Sequence, residues 1–322
     1  MTNKILLSTA SAVALIAGAS IAAASPILVT SNADSGEGSL RAALEQAQNG
    51  GEIIVTVDGD IETKSTLEYK GTEPLTIIGV GQTIKTKENV DILRINNGAD
   101  LTVEALNFQG PGGFSIEKRG DNGVEGGKGI FVDMRDDQTG VVTLTLRDVM
   151  VSDVAYHGVH VSDCSLANDC GGGAGGGGEG SDAGIIANLT NLVIRGVGHG
   201  RFDGDGFRAD ERGEGSIEVE ISNSIFDNAG ADGLELDEGG NGDVITFVTL
   251  SSFINSGNYC DGEILGKFMP EQPEGEFKKG EKQEADIPGK ITGTPDDSCF
   301  EREVETYDDG SVEEYEFAID FD

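Results

Sequence analysis

Gly206-Phe207-Arg208-Ala209-Asp210 is followed by Gly233-Leu234-Glu235-Leu236-Asp237, and earlier forms of the pattern are Gly129-Ile130-Phe131-Val132-Asp133 and Gly158-Val159-His160-Val161-Ser162. In each, glycine opens a short strand with strict period-two alternation. Ile130/Val132, Val159/Val161, Phe207/Ala209 and Leu234/Leu236 therefore share one inward side. Working outward, apolar pairs five residues apart recur at Val103/Phe108, Leu146/Val151, Leu189/Ile194, Ile221/Phe226 and Val248/Phe253. Successive pairs start 43, 43, 32 and 27 residues apart. That drift rules out a propeller but suits a solenoid whose coils carry loop insertions. The pattern predicts an all-β chain with parallel coils stacked roughly 4.8 Å apart around an apolar core. This is a parallel β-helix, right-handed by the crossover preference of parallel strands.

The ends of the chain read differently. Met1-Thr2-Asn3-Lys4 is short and positive, Ile5 to Ala24 is apolar and small, and Ala22-Ala23-Ala24 supplies a small-residue cleavage site. Residues 1–24 are expected to be a secretory signal peptide, with Ser25 as the mature start and no membrane-spanning segment left after cleavage. Ser39 is a good N-cap, and Leu40, Ala43, Leu44 and Ala47 fall on one helical face before Gly50 and Gly51. A short capping helix over Ser39–Asn49 is expected, followed directly by the strand Ile53-Ile54-Val55-Thr56-Val57. The expected organisation is a cap and first coils over 25–100, β-helix coils over 101–261, and a charged surface loop over 262–316. Residues 317–322 would begin a further coil, so a longer chain is expected. The run from Gly171 to Gly180, rich in glycine, is a loop insertion.

The run Asp34-Ser35-Gly36-Glu37-Gly38-Ser39-Leu40-Arg41, ahead of the first strand, resembles the N-terminal cap of secreted bacterial right-handed β-helix proteins of the pectate-lyase-like superfamily. The coils resemble the generic repeats of that superfamily, so the likeness covers most of the mature chain. It implies the fold and leaves the activity open, because the fold hosts many functions.

Charge narrows the partners. Lys and Arg number 22 against 58 Asp and Glu, a formal charge of −36 that becomes −37 once Lys4 is removed with the signal. A nucleic-acid partner is excluded, since it needs a basic footprint. An extracellular polysaccharide or a cell-surface ligand is the expected partner, met in an extracellular or periplasmic setting. Export also bears on Cys164, Cys170, Cys260 and Cys299, an even set expected to form disulfides. Of three possible connectivities, the expected one joins Cys164 to Cys170 and Cys260 to Cys299.

Stacking turns equivalent residues into columns. One outward column holds Phe131, His160, Arg208, Glu235 and Ala318. Its neighbour holds Asp133, Ser162, Asp210, Asp237 and Asp320, and a third at the turn holds Met134, Asp163, Glu211, Glu238 and Phe321. Preceding turns add Asp203, Asp205 and Asp232. Carboxylates one coil apart repel, and calcium, which takes six to eight oxygen ligands in flexible geometry, would relieve that repulsion. Asp205, Asp210, Glu211, Asp232, Asp237 and Glu238 are thus candidate calcium ligands, the alternative being a solvated acidic face. Lyase chemistry on uronates needs a cation beside the substrate carboxylate and a base. Arg208 is the candidate base or clamp, His160 a group able to titrate near neutrality, and Glu235 their neighbour. A hydrolase would use Asp210 and Asp237 as a carboxylate pair. Gly198-His199-Gly200 resembles a short polygalacturonase motif, without its acidic companions. The expected function is a secreted β-helix binding carbohydrate or another extracellular ligand with calcium. The alternatives are a calcium-dependent uronate lyase and, third, a glycoside hydrolase.

Overall fold

The computed structural model describes residues 25–113, 127–163, 180–199, 204–211, 213–230, 232–238, 242 and 244–254, together with four later strands, Gly262–Ile264, Gln283–Glu284, Phe300–Thr306 and Val312–Ala318. Residues 1–24, expected to be a signal peptide, residues 171–179 of the glycine-rich run and all four cysteines lie outside the described residues, as do Asp203, Asp320 and Phe321.

The cap forms as the sequence dictates. The Ser39 side chain accepts from the Ala42 amide and starts a helix over Leu40–Gln46, whose Leu40, Ala43 and Leu44, with Ala47 just past its end, are all buried. Gly38, at φ +75°, lets the chain fold back so that the Thr30 and Ser31 amides both donate to its carbonyl. A Cβ there would meet Thr30 Oγ1. Arg41 then locks the cap to the first coil, donating to Asp34 Oδ1 at 2.8 Å, Thr63 Oγ1 at 2.9 Å, and the Thr66 and Ser65 carbonyls. These bonds hold the Asp34 carboxyl below the ordinary carboxylate range.

Beyond the cap the chain is a parallel β-helix. Each full coil carries two strands of a first sheet and one of a second. One coil runs Thr139–Arg147, Met150–Ser152 and Val159–Ser162; the next runs Asp182–Thr190, Val193–Val197 and Phe207–Glu211; a third runs Ile217–Ser222, Ile225–Ala229 and Leu234–Glu238. The five apolar pairs fall into register. Val103 neighbours Leu146, then Leu189, Ile221 and Val248 follow; Phe108 neighbours Val151, then Ile194, Phe226 and Phe253 follow. All ten are buried in one continuous core, where Phe226 and Phe253 stack with centroids 4.7 Å apart. Among the described residues no helix is long and apolar enough to cross a membrane.

The five-residue spacing of the pairs contains a corner. At the corner Ala105, Asp148, Asn191, Asn223 and Leu250 all take φ between +50° and +54°. Asn191 Nδ2 donates to Asp148 Oδ1 at 2.8 Å, and Asn223 Nδ2 donates to Asn191 Oδ1, so short amides bridge successive turns. The glycines opening the second-sheet strands serve another need. The Val159 amide donates to the Gly206 carbonyl of the next coil, and a Cβ on Gly158 would stand 2.6 Å from that oxygen. Only glycine allows the backbones to approach this closely at that position.

The region after Cys260 departs from expectation. Gly262–Ile264 pairs antiparallel with Ser251–Ile254, and Gln283–Glu284 pairs antiparallel with Leu234–Glu238, so the expected loop adds a strand to the end of each sheet. Phe317 and Ala318 do not open a further parallel coil. They close an antiparallel hairpin of Phe300–Thr306 with Val312–Ala318. Their period-two alternation marks a strand, and a strand forms. Alternation is the same for parallel and antiparallel pairing, however, and cannot choose between them.

Candidate functional site on the second sheet

The second-sheet register assembles the outward columns as the repeat predicts as far as Glu235 and Asp237, while Ala318 pairs with Phe300 instead. Arg94, Phe131, His160, Arg208 and Glu235 follow one another across successive coils, and Asp133, Ser162, Asp210 and Asp237 do so beside them. A further column lies in the turn just before each glycine. The amides of Gly129, Gly158 and Gly206 donate to the carbonyls of His157, Asp205 and Asp232, and the Ile92 amide donates to Lys128. Lys128, His157, Asp205 and Asp232 therefore line up one coil apart. The sequence reading missed Lys128 and His157, although each stands immediately before a strand-opening glycine.

These side chains leave the core, yet they are not a solvated face. His160 and Arg208 are each 8% exposed, Phe131 and Asp205 are fully buried, and Asp232 and Glu235 are half-buried. Burial is sustained because the charges pair with one another. Arg208 Nε donates to both Asp210 oxygens, at 2.9 and 3.2 Å, while Nη1 reaches Glu235 Oε2 at 2.7 Å and Asp205 Oδ2 at 3.4 Å. Asp205 Oδ1 accepts from the Asp232 amide, and His157 Nδ1 lies 3.0 Å from both the amide nitrogen and the Oδ2 of Asp205. With three carboxylates around it, Arg208 serves here as their counter-cation.

His160 Nε2 lies 2.6 Å from Asp210 Oδ2. Burial pushes its pKa down to about 4, against the opposing pull of Asp210 and with help from Lys128 and Arg208. The ring is neutral at physiological pH, so the expected titration near neutrality is corrected. Neutral imidazole bonded through Nε2–H to a carboxylate presents its lone pair at Nδ1. The ring stacks on Phe131 with centroids 5.1 Å apart and lies 4.6 Å from the His157 ring. Lys128 Nζ sits 3.9 Å from the Phe131 centroid, and Arg94 Cζ sits 5.2 Å from it.

The candidate metal ligands separate into groups. Asp205, Asp232 and Glu235 each place an oxygen within 4.8 Å of the others, a spacing that could hold one cation. Asp210 lies in the same network but is bonded to His160 and Arg208. Glu211 is turned to its own loop, where Oε1 accepts from the Gly213 and Gly215 amides at 2.9 and 3.1 Å. Asp237 and Glu238 stand in register with Asp210 and Glu211; their side chains lie outside the described residues. His199 is apart from this group, with Nε2 2.9 Å from the Asn228 carbonyl oxygen.

Neither a protein-family model nor a curated protein matches the chain. Among solved structures, one described as "Geobacillus virus E2 - ORF18" is similar over 89% of this chain and 85% of that one, with 10% identity and a TM-score of 0.29. A score that low carries no argument, and the fold rests on the strand register itself.

Proposed function

We propose that the protein is a secreted or cell-surface β-helix of the pectate-lyase-like kind, which binds an extracellular carbohydrate on the outer face of its second sheet with calcium at Asp205, Asp232 and Glu235. The observation that carries this reading is the convergence of those three carboxylates within 4.8 Å. Asp205, Asp210 and Glu235 pair with the Arg208 guanidinium, and Asp232 brings a carboxylate oxygen within 4.8 Å of those of Asp205 and Glu235. A divalent ion with flexible oxygen coordination suits such a group of oxygens. The Asp34–Arg41 run supports the kinship, and the apolar leader supports export.

Calcium that binds the folded chain raises Tm by mass action. Calcium is expected to raise Tm more than magnesium does, and more than sodium chloride at matched ionic strength. Glu235→Gln should remove the difference. Equal responses to all three salts would reduce the carboxylates to a screened acidic cluster and overturn the calcium assignment. Carbohydrate binding is tested directly by calorimetry against a glycan panel with and without chelator. A uronate lyase is the second reading, supported by His160, a neutral imidazole held by Asp210 beside Arg208. It requires growth of unsaturated-uronate absorbance on polyuronate substrates, lost in His160→Gln.

A further inference from the structure

The carboxylates that converge on the second sheet already hold a cation of the chain's own. Arg208 Nη1 lies 2.7 Å from Glu235 Oε2 and 3.4 Å from Asp205 Oδ2. Both residues belong to the trio, completed by Asp232, whose oxygens stand within 4.8 Å of one another. The guanidinium is attached at its other edge as well. Nε donates to the two oxygens of Asp210, which follows Arg208 by two residues on the same strand, whereas Glu235 is the register partner of Arg208 on the next coil. One attachment is therefore local and the other crosses between coils. Asp205 is fully buried, while Asp232 and Glu235 are half-buried, so the trio opens on the Asp232–Glu235 side.

A divalent ion held by this trio shares Asp205 and Glu235 with the guanidinium. Calcium draws its oxygens to about 2.3–2.6 Å, closer than Arg208 Nη1 stands to the same two side chains. A singly and a doubly charged cation that share two carboxylates repel twice as strongly as two unit charges at that separation, and burial weakens the screening. The two cations therefore compete for the trio. Leaving it empty is costly too, because carboxylates gathered this closely resist ionisation unless a cation stands beside them. With no ion bound, Arg208 supplies that cation from within the fold.

We propose that Arg208 is the resident cation of the Asp205, Asp232 and Glu235 cluster, and that a divalent ion enters by displacing Arg208 Nη1 from Asp205 and Glu235 while Nε stays on Asp210. The inference rests on the calcium reading above and names how that site is regulated. The chain carries its own competitor, which joins neighbouring coils when the ion is absent and gives up the cluster when the ion arrives. Calcium affinity is then set by an exchange of cations, and is weaker than the three carboxylates alone would provide.

Calorimetric titration of the whole chain with calcium chloride, at neutral pH and constant ionic strength, compares the parent with Arg208→Gln and Arg208→Lys. Arg208→Gln removes the competing charge and should bind calcium about tenfold more tightly than the parent, or better. In chelator it should melt below the parent, and added calcium should narrow that gap. A residue that merely braced the site would give the opposite, a loss of affinity on removal. Arg208→Lys keeps a charge but lacks the fork that holds Asp210 and Glu235 together, so its affinity should fall between the two. It carries the test if Arg208→Gln does not fold. Calcium bound by the variants and not by the parent is the same competition taken to its limit, and supports the proposal. A parent that binds calcium, with variants that bind it equally or more weakly, overturns the displacement and leaves the calcium reading standing. Calcium bound by none of the three overturns both.

Discussion

His160 shows how one residue couples the site to stability. Its folded pKa of about 4 lies below the ordinary 6.5, with burial the leading cause. Between those values the unfolded chain binds a proton that the folded chain refuses, so stability rises with pH across the window. His160 therefore costs nothing above pH 6.5, and stability is lost as pH falls from 6.5 toward 4, by on the order of 3 kcal/mol over the full shift. Asp34, held low by Arg41, contributes its loss only below about pH 3.8, outside that window. Urea unfolding of the parent between pH 7 and 4.5 should show this fall, and His160→Gln should flatten it. Superimposable profiles for the two would mean that His160 is not the group responsible. The sequence made His160, Arg208 and Glu235 legible as neighbours, because period-two alternation fixes which side of a strand a residue faces. It did not reveal their burial, since alternation says nothing about what packs over the outer side. Lys128 and His157 escaped notice for a different reason. They sit in the turn, where no periodicity operates, and only their place before a glycine marks them.

At the scale of elements, the corner between the two first-sheet strands is the least uniform part of a regular coil. Five residues adopt the left-handed region there, and three of them are Asp148, Asn191 and Asn223, whose short side chains tolerate it and bond across coils. Leu250 holds the same conformation at φ +50° with its side chain 61% exposed and no amide to offer Asn223. Left-handed backbone costs a branched, non-glycine residue roughly 1–2 kcal/mol. Leu250→Asn should extend the ladder by one amide and stabilise the protein by about 1 kcal/mol, read as a higher urea midpoint at unchanged slope. A lower midpoint would show that Leu250 makes a contact worth more than the relief of strain. The five-residue spacing of the apolar pairs already encoded this corner. Two positions on one strand face are separated by an even number of residues, so an odd spacing with both members inward requires the chain to turn between them. The cap helix was equally legible, because an N-cap, an i, i+3, i+4, i+7 stripe and two glycines all act locally. The hairpin near residue 318 was not, since pairing direction depends on partners distant in sequence.

Across the whole molecule, stacking makes the inside and outside of every coil a single decision repeated many times. Leu146 stands between Val103 and Leu189 in the core, fully buried, and each neighbour continues the column to the next coil. Ile225 stands between Val193 and Ser252 on the outer side, 39% exposed. Both are large, aliphatic and central in their strands, and neither could be distinguished by hydropathy alone. Removing Leu146 to alanine leaves a cavity that the flanking coils cannot close without breaking their own register, so the cost should reach about 2–5 kcal/mol. Removing Ile225 to alanine uncovers solvent-facing surface and should change stability by no more than about 0.5 kcal/mol. Equilibrium urea unfolding of the two variants side by side measures the contrast. Equal costs would mean that the strand faces are not sorted as the register has them. A neutral Leu146→Ala would be more damaging still, since the core column, the five apolar pairs and the placement of the second-sheet site all depend on that residue pointing inward.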